Sequence, residues 1–125
     1  NIIRDLGEDA RRGRIYIPLD ELKKLGVSEE EIISLKNSDK IKNLVKNEVD
    51  RARKFYSLAI KTLPAEDKKS QKIGLIMGNI YFVLLNEIVK DNPEKILNQK
   101  TILPGFRKLR ISILTMLGFS WIESN

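Results

Sequence analysis

Three observations predict an all-α protein. Between Lys40 and Leu63 apolar residues recur at spacings of three and four, through Ile41, Leu44, Val45, Val49, Ala52, Phe55, Tyr56, Ala59, Ile60 and Leu63, the signature of an amphipathic helix. A second run, Lys72 to Lys90, is apolar on most sides, as a helix enclosed by neighbours is. No stretch alternates apolar with polar residues in the period of two that a half-buried strand shows.

The first helix is predicted from Asn1 to about Arg12, with Gly13 ending it. The RIYIP segment that follows is short and extended, and Pro18 permits a new helix to start. Asp20 to Leu25 make a brief helix closed by Gly26. Ser28 followed by Glu31 has the spacing of a capping box, which opens a helix over EEEIISLK. Asn37, Ser38 and Asp39 break that helix and can cap the long one, whose outer face carries Asp50 and Lys54 one turn apart and which Pro64 stops. Ala65 to Ser70 read as a charged turn, and Lys72 to Lys90 as the most buried helix, ended by Asn92 and Pro93. Glu94 to Pro104 form a connection, and a last helix runs from about Phe106 to Gly118 on Leu109, Ile111, Ile113, Leu114 and Leu117. The helix around Tyr81 is apolar nearly all round and asks for more neighbours than the other helices supply.

With 125 residues there is one domain at most. At 42% apolar and 32% charged, the chain can build a core under a solvated surface. It holds no cysteine, hence no disulfide framework, thiolate nucleophile or thiolate zinc site. It holds no histidine either, which removes the commonest general base and the Ser–His and Cys–His nucleophile pairs. Chemistry must rest on carboxylates, tyrosine, Lys/Arg and a bound metal. The formal charge of +6 suits anionic partners. No signal peptide is visible, and the apolar stretch Ile73 to Leu85, broken by Asn79, is read as too short to span a bilayer and so as a core helix.

The polar groups arranged for chemistry lie in NIIRDLGEDARRGRIYIPLDEL. At about 100° per residue, Asn1, Asp5, Glu8 and Asp9 share a face roughly 100° wide, with Arg12 a turn further along. Ile2, Ile3, Leu6 and Ala10 gather on the other side. Acidic residues at such spacing are most often a solvated face. They also suit a hard cation: Mg2+ takes oxygen ligands, usually one or two carboxylates, and completes its shell with water and phosphate. With Arg4, Arg11, Arg12 and Arg14 alongside, the pattern suggests a Mg2+–diphosphate site.

The run of letters sharpens this. NIIRDLGEDARRGRIYIP resembles the second aspartate-rich motif of the squalene/phytoene synthase family, N-I-x-R-D-x-x-E-D followed by G-R-x-Y-x-P, with Asn1, Arg4, Asp5, Glu8, Asp9, Gly13, Arg14, Tyr16 and Pro18 all matching. IMGNIYFVLLNEI resembles the family helix whose tyrosine faces the reaction cavity, at Tyr81, although an aromatic on a buried helix is most often a core residue. NQKTILPGFRKL resembles a C-terminal basic element but departs from it, because Gln99 and Lys100 stand where two arginines are usual. Lys100 keeps a charge and loses the forked grip on diphosphate, and Arg107 and Lys108 fit the element better. The likeness is dense over residues 1–18, moderate over 73–109 and weak between.

The resemblance implies an isoprenoid (terpenoid) synthase-type helical bundle, of which this chain is the C-terminal part and the N-terminal half of the same domain a partner. It implies a prenyltransferase joining two prenyl diphosphates head to head. Asn1, Asp5, Glu8 and Asp9 would hold Mg2+; Arg4, Arg14, Tyr16 and Lys100 would bind substrate; Asp5, Asp9 and Tyr81 would be catalytic. RDLGEDARRGRIYIPLDEL is phytoene-synthase-like, implying two geranylgeranyl diphosphates. LPAEDKKSQKIGLIMGNIYFVLL is closer to presqualene diphosphate synthases, and the reading leans towards two farnesyl diphosphates. A cytoplasmic protein is expected, with peripheral membrane contact for its lipophilic product. A basic module on RNA or an anionic membrane is the alternative class. Against a nucleic-acid partner, Lys40, Lys42, Lys46, Arg51, Lys54 and Lys61 spread around their helix among acids rather than forming one face. A non-catalytic relative is the third reading.

Overall fold

The computed structural model describes residues 1–122. Among these the chain folds as α1 (Ile2–Arg11), α2 (Leu19–Lys24), α3 (Glu29–Ile33), α4 (Asp39–Thr62), α5 (Lys72–Lys90) and α6 (Gly105–Met116), with short 3-10 turns at Glu66–Lys68 and Pro93–Leu97. No strand occurs among the described residues, so the all-α class holds.

Local chemistry explains the boundaries. Gly13, at φ +67°, ends the turn after α1 in the left-handed region that glycine enters without strain. The expected capping box forms: the Glu31 N–H donates to Ser28 Oγ at 3.1 Å and the Ser28 N–H donates to Glu31 Oε2 at 2.9 Å. Ser38 caps α4, its Oγ accepting from the Ile41 N–H at 3.3 Å. α3 stops at Ile33 instead of running on to Lys36, because Leu35 takes φ 54° and the Lys36 N–H turns back to the Glu31 carbonyl at 3.3 Å. The Pro93–Leu97 turn starts at the proline read as ending the helix before it and runs into the Glu94 to Pro104 segment read as a connection.

The chain divides into two compact units. The first joins Asn1–Asp50 to Glu87–Thr101. Its core includes Leu6, Ala10, Leu22, Ile32, Ile41, Leu44, Val49 and Leu97, all essentially buried. α1 packs on the Pro93–Leu97 turn and on α3. A Cβ at Gly7 would run into the Leu97 carbonyl and its backbone, so only glycine admits this approach. Further bonds pin the same segment: Arg11 Nη2 donates to the Leu97 carbonyl at 3.1 Å, and Asn98 Nδ2 donates to the Leu35 carbonyl at 3.2 Å and to Asn37 Oδ1 at 3.0 Å. One member of the apolar face predicted for α1 departs from it: Ile2 is exposed.

The second unit comprises, among the described residues, 51–86 and 102–122. Val83, Leu84, Leu103 and Ile111 form its buried cluster, with Ile80, Tyr81 and Trp121 packed against it. Tyr56 meets Phe82 edge-on with ring centroids 5.5 Å apart, and Arg53 donates twice to Asn86 Oδ1, at 3.0 and 2.6 Å. Asn79 is buried and satisfied: Nδ2 donates to the Leu75 carbonyl, while Oδ1 accepts from the Trp121 N–H and the Ser120 hydroxyl.

α5 corrects two expectations. It is not the most buried helix, since Ile73 is 78% and Met77 47% exposed, whereas Ile41, Leu44 and Val49 of α4 are fully buried. An all-round apolar helix needs neighbours on every side, and α5 buries Val83, Leu84, Leu85 and Ile88 in its later turns only. At 19 residues, with an 18-residue stretch of mean hydropathy 1.4, it is also long and apolar enough, by length and composition, to cross a bilayer. The satisfied Asn79 at its middle is nevertheless what a core helix provides.

Replacing Gly7 by Ala tests the close approach. Inside a helix this exchange ordinarily gains up to about 1 kcal/mol. Here the added methyl meets backbone that no rotamer change can move, so a net loss of about 1–3 kcal/mol is expected, read as a lower urea midpoint with helical content retained.

Candidate active site

α1 holds its acids on one side because its other side is committed to the core through Leu6, Gly7 and Ala10. A cleft of about 400 Å³ opens over the acidic side, lined by Asn1, Ile2, Asp5, Glu8, Asp9, Arg12, Tyr16 and Lys100. Asn1 occupies the cap position of α1 yet makes no side-chain cap bond. An asparagine there ordinarily caps the helix, and this one lines the cleft instead.

The cleft is held by a chain of cations. Arg4 grips Asp5 with both prongs, Nε to Oδ1 at 2.9 Å and Nη2 to Oδ2 at 2.7 Å, the fork that suits a carboxylate. Arg12 Nη2 meets Glu8 Oε1 at 2.8 Å. Lys100 reaches both acids: Nζ lies 2.8 Å from Asp5 Oδ1 and 3.0 Å from Glu8 Oε2. The Arg4 guanidinium, and after it the Lys100 ammonium, hold the Asp5 carboxyl well below the usual range against the opposing pull of burial. Lys100 likewise lowers Glu8. Asp5 first, and Glu8 next, raise Lys100 in return.

Among the described residues no group of three or more carboxylates stands close enough together to hold a metal ion. The four-ligand set of Asn1, Asp5, Glu8 and Asp9 is therefore not drawn into a cage, although all four line the cleft. Asp5 and Glu8 do aim one oxygen each at a single positive charge, the Lys100 ammonium. Two carboxylates converging on one cation fit Mg2+, which needs no more from the protein when phosphate and water complete its shell.

The other expected residues are divided between the cleft and other places. Tyr16 is on the cleft and half exposed. Arg4 acts on Asp5 rather than lining the cleft. Arg14 is exposed, and its N–H donates to the Asp9 carbonyl at 2.9 Å. Tyr81 belongs to the second unit, packed on the Val83 and Leu84 cluster. Arg107 and Lys108 begin α6, also in the second unit. The sequence placed Arg12 among the flanking arginines without a named partner, and Ile2 on the packing side rather than on the cleft it lines. For Arg12 a signal was present, since it stands four residues after Glu8. Nothing local announced that Lys100 would meet Asp5 and, 92 positions away, Glu8.

The site is an acidic cleft on a helix face, threaded by cations, and comparison with known proteins shows the family that carries it. The model of the squalene/phytoene synthase family matches residues 1–107, and the chain belongs to that family. It is similar to the phytoene synthase of Arthrospira platensis, 35% identical over 94% of this chain and 38% of that protein. It is similar also to the 15-cis-phytoene synthase of Synechocystis sp., 32% identical over 87% of this chain and 32% of the relative. A chloroplastic phytoene synthase of Cucumis melo is 49% identical over 70% of this chain and 21% of its own length. The chain thus spans between about a fifth and two-fifths of the curated relatives it matches. No solved structure matches it.

The Asp5 shift gives a pH prediction. A carboxyl held lower in the folded than in the unfolded chain contributes stability above its ordinary value of 3.8, which is lost as pH falls through and below that value. Asp5 is partly exposed, so the effect is modest. The drop in urea midpoint between pH 6 and pH 3 should be smaller in Asp5→Asn than in the unchanged protein; equal drops would mean that the pairs with Arg4 and Lys100 add nothing.

Proposed function

We propose that the complete protein is a head-to-head prenyltransferase that condenses two geranylgeranyl diphosphates to phytoene with Mg2+. The observation that carries this is the convergence of Asp5 and Glu8 on one cationic point in a cleft shared with Asn1, Asp9 and Tyr16. Its support is the family membership and the phytoene synthase names of the relatives.

In this reading Asp5, Glu8 and Asp9, with Asn1 as a neutral oxygen donor, would hold the metal. When bound, the metal neutralises charge building on the departing diphosphate. Arg4 orients the Asp5 carboxylate through its fork, while Arg12 does the same for Glu8. Arg14, Tyr16 and Lys100 supply further positive charge and a hydroxyl to the leaving group, where a dissociative ionisation most needs help. The allylic cation left behind is captured by the double bond of the second prenyl diphosphate and loses a proton, giving a cyclopropyl diphosphate; departure of the remaining diphosphate, ring opening and loss of a second proton then give phytoene. Apolar helices exclude the water that would trap the cation.

A second reading has a specific observation behind it. The letters LPAEDKK from Leu63 and MGNIY from Met77 favour two farnesyl diphosphates and presqualene diphosphate. The relatives' names favour phytoene.

Incubation of the complete protein with Mg2+ and each diphosphate in turn, without NADPH, separates the readings. Phytoene from geranylgeranyl diphosphate is expected; presqualene diphosphate from farnesyl diphosphate would transfer the assignment, and no product from either would overturn the proposal. Asp5→Asn and Asp9→Asn should each lower turnover by roughly a hundredfold or more with unchanged helical content by circular dichroism. Turnover near that of the unchanged protein in both would remove the metal assignment.

A further inference from the structure

We infer that Lys100 is a tethered counter-ion that occupies the metal position of this cleft and must be exchanged out when the divalent cation binds. The inference rests on the metal–diphosphate reading above and adds to it what the chain's own lysine does.

The geometry leaves little room for both cations. Lys100 Nζ stands 2.8 Å from Asp5 Oδ1 and 3.0 Å from Glu8 Oε2. Arginines of α1 flank the same acids: Arg4 reaches both oxygens of Asp5, Nε on Oδ1 at 2.9 Å beside the lysine and Nη2 on Oδ2 at 2.7 Å, and Arg12 meets Glu8 Oε1. The ammonium therefore takes the oxygens that point from the two acids to a common place. A hard divalent ion binds carboxylate oxygen at about 2.0–2.1 Å. Seated on those oxygens, it would sit against the ammonium, two positive centres within contact distance. One must leave.

Lys100 is built to leave and stay near. Its backbone is fixed, because the segment before it is held by the Gly7 approach and by the Arg11 and Asn98 hydrogen bonds. Its side chain is 41% exposed and hangs on a flexible stem of four carbons. Displaced from the acids, the ammonium remains beside them, where a diphosphate oxygen offers it a new partner. Free metal alone gives the ammonium nothing in exchange, so the lysine disfavours loading of metal without the anion and favours loading of the two together. An arginine would not exchange as easily, since its fork is rigid and bidentate.

Titration of the complete protein with Mn2+ in the absence of substrate, followed by calorimetry and by the Mn2+ electron paramagnetic resonance signal, tests this directly. Lys100→Met is expected to bind Mn2+ roughly threefold to tenfold more tightly than the unchanged protein, as two exposed ion pairs would predict. Lys100→Arg, which keeps the charge, should show no such gain, and adding Asp5→Asn to Lys100→Met should abolish it. Equal or weaker Mn2+ binding by Lys100→Met, with the unchanged protein binding measurably, overturns the exchange and leaves the metal reading standing. Absence of Mn2+ binding in both, with both folded by circular dichroism, brings down the metal reading and this inference together.

Discussion

Gly7 and Leu97 come so close that one added methyl has no place, and the polar architecture of the first unit depends on that approach. It seats the Pro93–Leu97 turn on α1, and the three residues that follow carry Lys100 to the acidic face. A helix surface with Asp5, Glu8 and Asp9 on one side would by itself repel other acids and attract loose counter-ions. With the segment seated, the charges become a defined set: a fork on Asp5, an arginine one turn beyond Glu8, and a lysine shared between them.

Charge balance in the cleft comes from both near and far in the chain. The near part is encoded along α1, where Arg4 and Arg12 sit beside or one turn from the acid each serves. Such pairs are exposed enough that solvent and salt screen them. The far part is Lys100, which couples Asp5 and Glu8 to each other. Its arrival makes the cleft one electrostatic object instead of two independent pairs.

Most of the helices were legible in the sequence because their causes are local. The spacing of apolar residues located α4, the glycines after α1 and α2 marked their ends, and Ser28 with Glu31 announced α3 from four letters. Family letters concentrated at Asn1–Pro18 pointed to the cleft, and Asn1, Asp5, Glu8, Asp9 and Tyr16 do line it. What was not legible depends on distant partners. The early stop of α3 turns on the left-handed Leu35, whose carbonyl accepts from Asn98. The exposure of Ile73 on α5 depends on what packs beside it, which periodicity does not encode. The role of Lys100 was hidden for the same reason: read beside its neighbours it is a substitute for arginine, and only the fold shows which acids it meets.

The 92 positions between Glu8 and Lys100 also set an order of events in folding. α1 can form early, since its hydrogen bonds close within a few residues. Its acids then face each other without their shared partner until a loop of that length has closed, and closure entropy makes such long-range contacts slow to gain. The cleft is therefore a late structure, completed after the helix that carries it. Unseating the Pro93–Leu97 turn from α1 would cost Asp5 and Glu8 their shared partner at once.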